Sequence, residues 1–336
     1  MKKVLFIYNP HAGKGVLKTK LSDVLDIIAK AGYEITVYPT QCYKDAYYKV
    51  ASFEEDYERV ICSGGDGTLD EVVTGMMERK HKIPIGYIPT GTTNDFANSL
   101  HIPKDLLQAT DVAVNGEKFA CDIGDFNKDI FVYVAAFGLF TDVSYLTNQE
   151  MKNMLGHLAY LLEGATRLFD IPSHHMIIKH DGITIEDDFC YGMVTNSKSV
   201  GGFRHMVDKN VKFDDGKFEV TLIKAPKSPL ALQEIVKSLV TNQVNENYMY
   251  AFKTNKITFD SVEEVAWTLD GEFGGQHDRV KIKNHKRALE IMVSEKSLQE
   301  LKRKRNYKEE KEDKLEEKSR IEMTSEILGK INVKKM

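Results

Sequence analysis

The residues best suited to chemistry are Ser63-Gly64-Gly65-Asp66-Gly67-Thr68, set between a short apolar run and an amphipathic stretch. Glycines at a strand-to-helix turn let backbone N–H groups approach a phosphate closely, and the helix N-terminus favours the anion they hold. Asp66 inside such a turn suits contact with the magnesium that accompanies a nucleotide triphosphate better than contact with the phosphates themselves. Taken alone, the motif reads equally well as a tight turn with an N-cap. Two further clusters weigh against that bland reading. Pro89-Thr90-Gly91-Thr92-Thr93-Asn94-Asp95-Phe96 again ends a strand with glycine, hydroxyls and an acid, and Trp267-Thr268-Leu269-Asp270-Gly271-Glu272-Phe273 places two acids in a tight turn between β segments. From there Glu272 can face a nucleotide across a cleft.

These clusters need elements that bring them together. Strand signals at Val4–Tyr8, Glu34–Tyr38, Arg59–Cys62 and Ile83–Ile88 alternate with helical stretches at Leu17–Ala31, Tyr43–Ser52 and Leu69–Glu78. That alternation predicts a parallel sheet covered by helices, with ligands bound at the carboxyl ends of its strands. After about Asp122 the pattern changes to β segments at Ile130–Val134, His175–His180, Cys190–Thr195, Lys217–Leu222, Lys256–Phe259, Val280–Ile282 and Ala288–Val293, with helical stretches at Met154–Leu168 and Leu230–Thr241. A second, antiparallel domain fits these. The organisation expected is residues 1–122 as a nucleotide-binding α/β domain, 123–295 as a β-rich substrate domain whose last strands can return to the first, and 296–336 as a charged helical or mobile tail.

Together with Tyr8-Asn9-Pro10-His11-Ala12-Gly13-Lys14, the three motifs in this order resemble the diacylglycerol kinase catalytic-domain family, above all its soluble bacterial members, over about residues 2–295. The resemblance implies an α/β domain with a parallel sheet, of the NAD kinase/diacylglycerol kinase kind, followed by an antiparallel β-sandwich. It implies transfer of phosphoryl from ATP, with magnesium, to the hydroxyl of diacylglycerol. Carried over by position, Asn9, Pro10, His11, Ala12, Gly13, Thr40, Gly65, Asp66, Gly67, Thr68, Leu69, Asp70, Glu71 and Thr92 line the ATP site, with Lys14 near the phosphates. Glu272 is the general base, since an acceptor alcohol must lose its proton as transfer proceeds. Asp66 and Asp95 organise catalytic magnesium, and Asp122 matches a further acid of the family's cleft. Lys212-Phe213-Asp214-Asp215-Gly216-Lys217 resembles a structural magnesium loop, in which Asp215 gives its carboxylate and Lys212 and Lys217 their carbonyls; without the resemblance it reads as a β-turn. Two positions depart from the family. Asp70 stands where relatives commonly have Asn, and Glu163 where close relatives carry a lysine.

Size and composition agree with this reading. The 336 residues exceed the roughly 250–300 at which one core stops growing. With 46 basic and 50 acidic side chains, the charge is too balanced to predict a nucleic-acid partner. No apolar run reaches the ~18 residues of a membrane span, and Met1-Lys2-Lys3-Val4 enters a strand, so the expected location is the cytosol, peripheral to the inner face of the membrane. Docking on a lipid surface is expected from 157–167 and 201–204, and the resemblance allows a homodimer. Cys42, Cys62, Cys121 and Cys190 lack metal or disulfide spacing and read as buried thiols. Kinases of other lipid alcohols, such as phosphatidylglycerol or a sphingoid base, stay open. An NAD kinase shares the Gly-Gly-Asp-Gly turn, but Pro89–Asp95 and Leu269–Glu272 argue against it. A non-catalytic nucleotide- or lipid-binding regulator is weighed because of Asp70 and Glu163, against an intact set of Asp66, Asp95 and Glu272.

Overall fold

The structure, a computed structural model, describes residues 2–13, 15–139, 171–197, 211–241 and 243–302. In β1 (Lys2–Tyr8), Val4, Leu5, Phe6 and Ile7 are all fully buried. A continuous apolar run of this kind belongs to a strand covered on both faces, where each such side chain contributes about 1.5–3 kcal/mol relative to exposure. β1 pairs in parallel with β2 (Tyr33–Pro39) on one side and β3 (Arg59–Gly64) on the other, and β3 pairs in parallel with β4 (Ile85–Pro89).

The helices that follow these strands in turn are α1 (Val16–Lys30), α2 (Asp45–Ser52), α3 (Asp66–Met77) and, after β4, α4 (Asp95–Ser99) and α5 (Leu106–Asn115). α1 buries Leu17, Val24 and Ile28, one stripe of a 3.6-residue period. Asp105 starts α5 by accepting hydrogen bonds from the N–H groups of Leu107 and Gln108. Buried Arg59 answers the other end, its guanidinium donating to the carbonyls of Ala113 and Val114, which have no partner within the helix.

The remaining strands are β5 (Glu117–Phe126), β6 (Asp129–Phe131), β7 (Val134–Gly138), β8 (His174–His180), β9 (Ile183–Thr195), β10 (Phe218–Lys224), β11 (Met249–Thr254), β12 (Lys256–Leu269) and β13 (Glu272–Val293), with α6 (Pro229–Thr241) before β11. Their mutual pairings are antiparallel. β9 and β12 are long because each pairs with β8 along one stretch and with β7 along another. Their core is aromatic: Trp267 lies 4.8–5.1 Å, ring centre to ring centre, from Phe126, Phe137 and Phe259.

β13 ties the two regions together. It is antiparallel to β12 and β5 and pairs in parallel with β4 at Ile291 and Ile85. The two segments expected at Val280–Ile282 and Ala288–Val293 are therefore one strand. The polar run between them is a shift in register, with Arg287 at φ 51° and its N–H donating to the Asp122 carboxylate. Residues 295–302 are helical. Buried Ser297 and Leu301 dock that helix, and the Ser297 hydroxyl donates to the His101 carbonyl at 3.1 Å, so the start of the charged tail is packed. Among the described residues no helix is long and apolar enough to cross a membrane. Met154–Leu168, with Glu163, and the docking segments expected at 157–167 and 201–204 lie outside the described residues.

Candidate active site

Three turns meet at the carboxyl ends of β1, β3 and β4. The N–H of Asn9 donates to the Ser63 carbonyl at 2.9 Å, and that of Thr90 to Gly64 at 2.8 Å, so each loop leaves its strand in register with its neighbour. Two glycines are required by how closely the loops touch. A methyl group at Gly91 would lie 2.6 Å from the Gly65 Cα, and one at Gly13, which also has φ +57°, would lie 2.1 Å from the Thr90 oxygen. Asn94 rigidifies the third turn: its amide donates to the Gly91 carbonyl at 2.7 Å and its oxygen accepts from the Gly91 N–H at 3.1 Å.

Asp66 opens α3 and aims its carboxylate at the next helix, accepting from the Asp95 N–H through Oδ2 at 3.2 Å. Its Oδ1 is buried without a protein partner. Burial, and then the neighbouring Asp95 carboxylate, push the Asp66 carboxyl up to about 7. An unpartnered carboxylate oxygen in a knot of acids is the donor chemistry a hard dication takes, so these residues fit magnesium.

The hairpin joining β12 to β13 brings the last motif here. Leu269 pairs with Glu272, leaving Asp270-Gly271 as a two-residue loop with φ 51° and 86°, the conformation Asp-Gly favours in a hairpin. The Asp270 carboxylate fixes the loop by accepting from the N–H groups of Val132, Tyr133 and Val134 at 2.5, 2.9 and 2.9 Å. Glu272 then stands over the start of α3: a methyl at Gly67 would lie 3.7 Å from its Oε1. The general-base candidate thus comes from the far end of the chain to the glycine turn.

Between these elements lies a cleft of about 990 Å³, lined by Asn9, His11, Ala12, Gly13, Thr40, Gly65, Asp66, Gly67, Thr68, Asp70, Glu71, Thr92, Asp95 and Glu272. Two of the expected residues are placed otherwise. Leu69 is 1% exposed and packs in the core under α3, and Pro10 does not line the cleft. Lys14 lies outside the described residues. Glu71 has a structural task as well, its carboxylate accepting from the N–H groups of Lys44 and Ala46 at 2.8 and 3.1 Å at the start of α2.

Asp122 is not among the cleft residues. It is fully buried and accepts from the N–H groups of Gly216 and Arg287 at 2.6 and 2.8 Å and from the Asn284 amide at 3.3 Å, with burial pushing it up to about 6. It therefore anchors the 212–217 loop. In that loop Asp215 accepts from the Lys217 N–H at 2.9 Å, and Asp214 from Arg287 at 2.9 Å. Lys212, Asp215 and Lys217 share this loop and lie away from the cleft lining, and among the described residues no group of three His, Cys, Asp or Glu side chains is set to hold a metal.

The cleft also has walls that sequence reading missed. Gln41, Cys42, Tyr43, Tyr47 and Tyr48 line one end, and Lys128 and Phe273 are on its lining too. The run of tyrosines after Thr40 was the available signal. Cys42 corrects the expectation of four buried thiols: it is exposed, because it belongs to the loop entering α2, whereas Cys62, Cys121 and Cys190 are strand residues in the core.

Glycine-rich turns at the ends of parallel strands, acids that fit a dication and a carboxylate poised opposite define a phosphoryl-transfer cleft. Comparison with known proteins gives the family. Residues 3–126 match the profile of the diacylglycerol kinase catalytic domain, and 134–293 that of the YegS C-terminal NAD kinase beta sandwich-like domain. A diacylglycerol kinase of Bacillus subtilis is 33% identical over 302 residues, 89% of this chain and 99% of that protein. One from Staphylococcus carnosus is 36% identical over 278 residues, 82% of this chain and 90% of its own. A crystal structure of a diacylglycerol kinase from Bacillus anthracis shares the fold, with a TM-score of 0.69 at 24% identity over 88% of this chain and 98% of that one. The chain belongs to the diacylglycerol kinase catalytic-domain family and is a lipid kinase.

Proposed function

We propose that this kinase transfers the γ-phosphoryl group of ATP to the free hydroxyl of diacylglycerol, giving phosphatidic acid and ADP. The observation that carries the reading is the position of the Glu272 carboxylate above the Gly65–Gly67 turn. An alcohol entering there meets a proton acceptor on one side and the phosphate-binding turn on the other. As its oxygen forms the new bond to phosphorus and the bond to the β,γ-bridging oxygen breaks, the hydroxyl proton passes to Glu272. Asp66 and Asp95 would hold the catalytic magnesium, which neutralises charge on the transferring group. A second, structural magnesium is assigned to the 212–217 loop on its oxygen donors, the Asp215 carboxylate and the carbonyls of Lys212 and Lys217. Residues 1–122 bind nucleotide and 123–295 present the lipid.

The test is an acceptor panel: labelled ATP and magnesium with diacylglycerol, phosphatidylglycerol, sphingosine and NAD, each in turn. Diacylglycerol is expected to take label at least ~10-fold faster than any other acceptor, a difference of about 1.4 kcal/mol in the barrier. Preferential labelling of NAD, or no transfer to any lipid, defeats the reading.

The acceptor lives in a bilayer, so the cleft mouth must reach one. Phe273 follows Glu272 directly, lines the cleft and is 72% exposed, an aromatic side chain placed to enter the lipid interface beside the base. Phe273→Glu is expected to cut sedimentation with anionic vesicles severalfold, through lost apolar burial and added charge repulsion. Sedimentation equal to wild type would remove Phe273 from that surface.

A further inference from the structure

On the solvent face of the antiparallel region the strand register gathers lysines. In β13 Val280, Ile282 and Asn284 are buried, so Arg279, Lys281 and Lys283 point to water. Residues directly opposite each other in an antiparallel pair share a face. Lys283 stands opposite Lys256 of β12, and Lys281 opposite Thr258, which has Lys179 of β8 on its other side. Two adjacent rows across three strands thus present Lys179, Lys256, Lys281 and Lys283, all exposed. Like charges directly opposite each other destabilise a sheet, and the acids at hand offset them little. Asp260, in the next row, is held by Lys179 at 3.5 Å and by Arg279 at 3.2 Å. Asp125, beside Lys283 on β5, lies 3.3 Å from a ring nitrogen of His285 and accepts from the Lys128 N–H at 3.2 Å. Among the described residues Lys256, Lys281 and Lys283 form no ion pair.

This face adjoins the cleft. Phe126 pairs with Asp129, leaving Asn127-Lys128 as a two-residue loop with φ 51° and 87°. Asn127 ties the loop to the lysine-bearing strand: its amide donates to the Arg279 carbonyl at 2.9 Å and its side-chain oxygen accepts from the Lys281 N–H at 2.8 Å. The next residue, Lys128, lines the cleft. A surface lying on the lysines therefore also meets the cleft's rim.

We propose that the face carrying Lys179, Lys256, Lys281 and Lys283 docks this kinase on an anionic lipid bilayer. Each lysine near such a surface strengthens binding severalfold. The whole chain carries a net charge of −4, so an anionic surface repels it except where cations are gathered, and docking is oriented. Between the cations stand Thr258 and Asn127, with no aromatic ring on which a nucleic-acid base could stack. The acceptor of a lipid kinase is itself in a bilayer; the choice of occupant rests on that function, whereas the charge arrangement does not.

The test is sedimentation of the full chain with vesicles of equimolar phosphatidylcholine and phosphatidylserine, and of phosphatidylcholine alone, at low and high salt. Transfer is measured beside it, to diacylglycerol in the mixed vesicles and to a short-chain diacylglycerol in free solution. Lys256→Glu/Lys281→Glu/Lys283→Glu is compared with Lys256→Arg/Lys281→Arg/Lys283→Arg and with Lys18→Glu/Lys80→Glu/Lys82→Glu, the same charge change at exposed positions of the first region. Wild type should bind the anionic vesicles and release them at high salt, where the charges are screened. The glutamate triple on the face should weaken that binding about 10-fold or more, while the other two triples stay within about 3-fold of wild type. Its transfer to vesicle diacylglycerol should fall in step, and its transfer to the dissolved acceptor should hold within about 2-fold. Equal losses in the two glutamate triples, or unchanged binding in the first, would overturn the docking face, as would an oligonucleotide that binds through these lysines when vesicles do not. Vesicle binding lost in the face triple alone, without transfer to any lipid, upholds the docking face and counts only against the acceptor.

Discussion

Glu272→Gln should lower kcat by about 10²–10⁴-fold, the range a positioned general base supplies, while leaving the affinity for ATP and the melting temperature close to wild type. The side chain is exposed at the tip of β13, so its amide analogue leaves no buried group stranded. The hairpin that carries it is held by Asp270 and not by Glu272 itself. What the amide removes is the capacity to take the hydroxyl proton at the moment the acceptor oxygen bonds to phosphorus. A residue that merely shaped the nucleotide site would raise the KM for ATP, whereas loss of the base lowers kcat and kcat/KM for the lipid together. Isothermal titration with ATP and magnesium, beside initial-rate kinetics on diacylglycerol micelles, makes the distinction. Retention of more than about a tenth of wild-type kcat would take Glu272 out of the base role.

What could be seen in advance was whatever is encoded locally. Asp270-Gly271 declares its turn because φ of 51° and 86° restricts the residue types, and Gly64-Gly65-Asp66-Gly67 because a side chain at Gly64 would collide with Thr68; both turns are where they were expected. The alternation of apolar runs with 3.6-residue stripes placed the first four strands, most plainly β1, β3 and β4, whose runs are buried on both faces, while the edge strand β2 is half exposed. β5 escaped notice: its sequence Lys118-Phe119-Ala120-Cys121-Asp122-Ile123 includes a buried acid whose partners, Gly216, Asn284 and Arg287, come from elsewhere in the chain. Such an acid reads as a turn when only its neighbours are known. α5 was missed although Asp105 and Gly116 bracket it with the residue types that start and stop helices. The dual part played by Glu71, in the cleft and at the start of α2, depends on how far-apart segments pack. No short-range rule reaches it.

Asp66→Asn should abolish most activity by a different route, with kcat lowered about 10²–10³-fold and a much higher magnesium concentration needed for half-maximal rate. The amide oxygen can still accept the Asp95 N–H that Oδ2 now takes at 3.2 Å, so the start of α4 keeps its partner. The change falls on Oδ1, the buried oxygen without a protein partner, and on the negative charge that a dication needs. Burial and Asp95 already disfavour that charge, holding the carboxyl near 7, so its removal should leave the ligand-free melting temperature at or above wild type. Activity and stability then move in opposite directions, as expected where a strained group is kept for its chemistry. A variant whose fold had simply failed would lose both. If Asp66→Asn instead keeps a rate within about threefold of wild type at limiting magnesium, the cation is held elsewhere. The excess of acid around Gly65–Gly67 would then need another explanation.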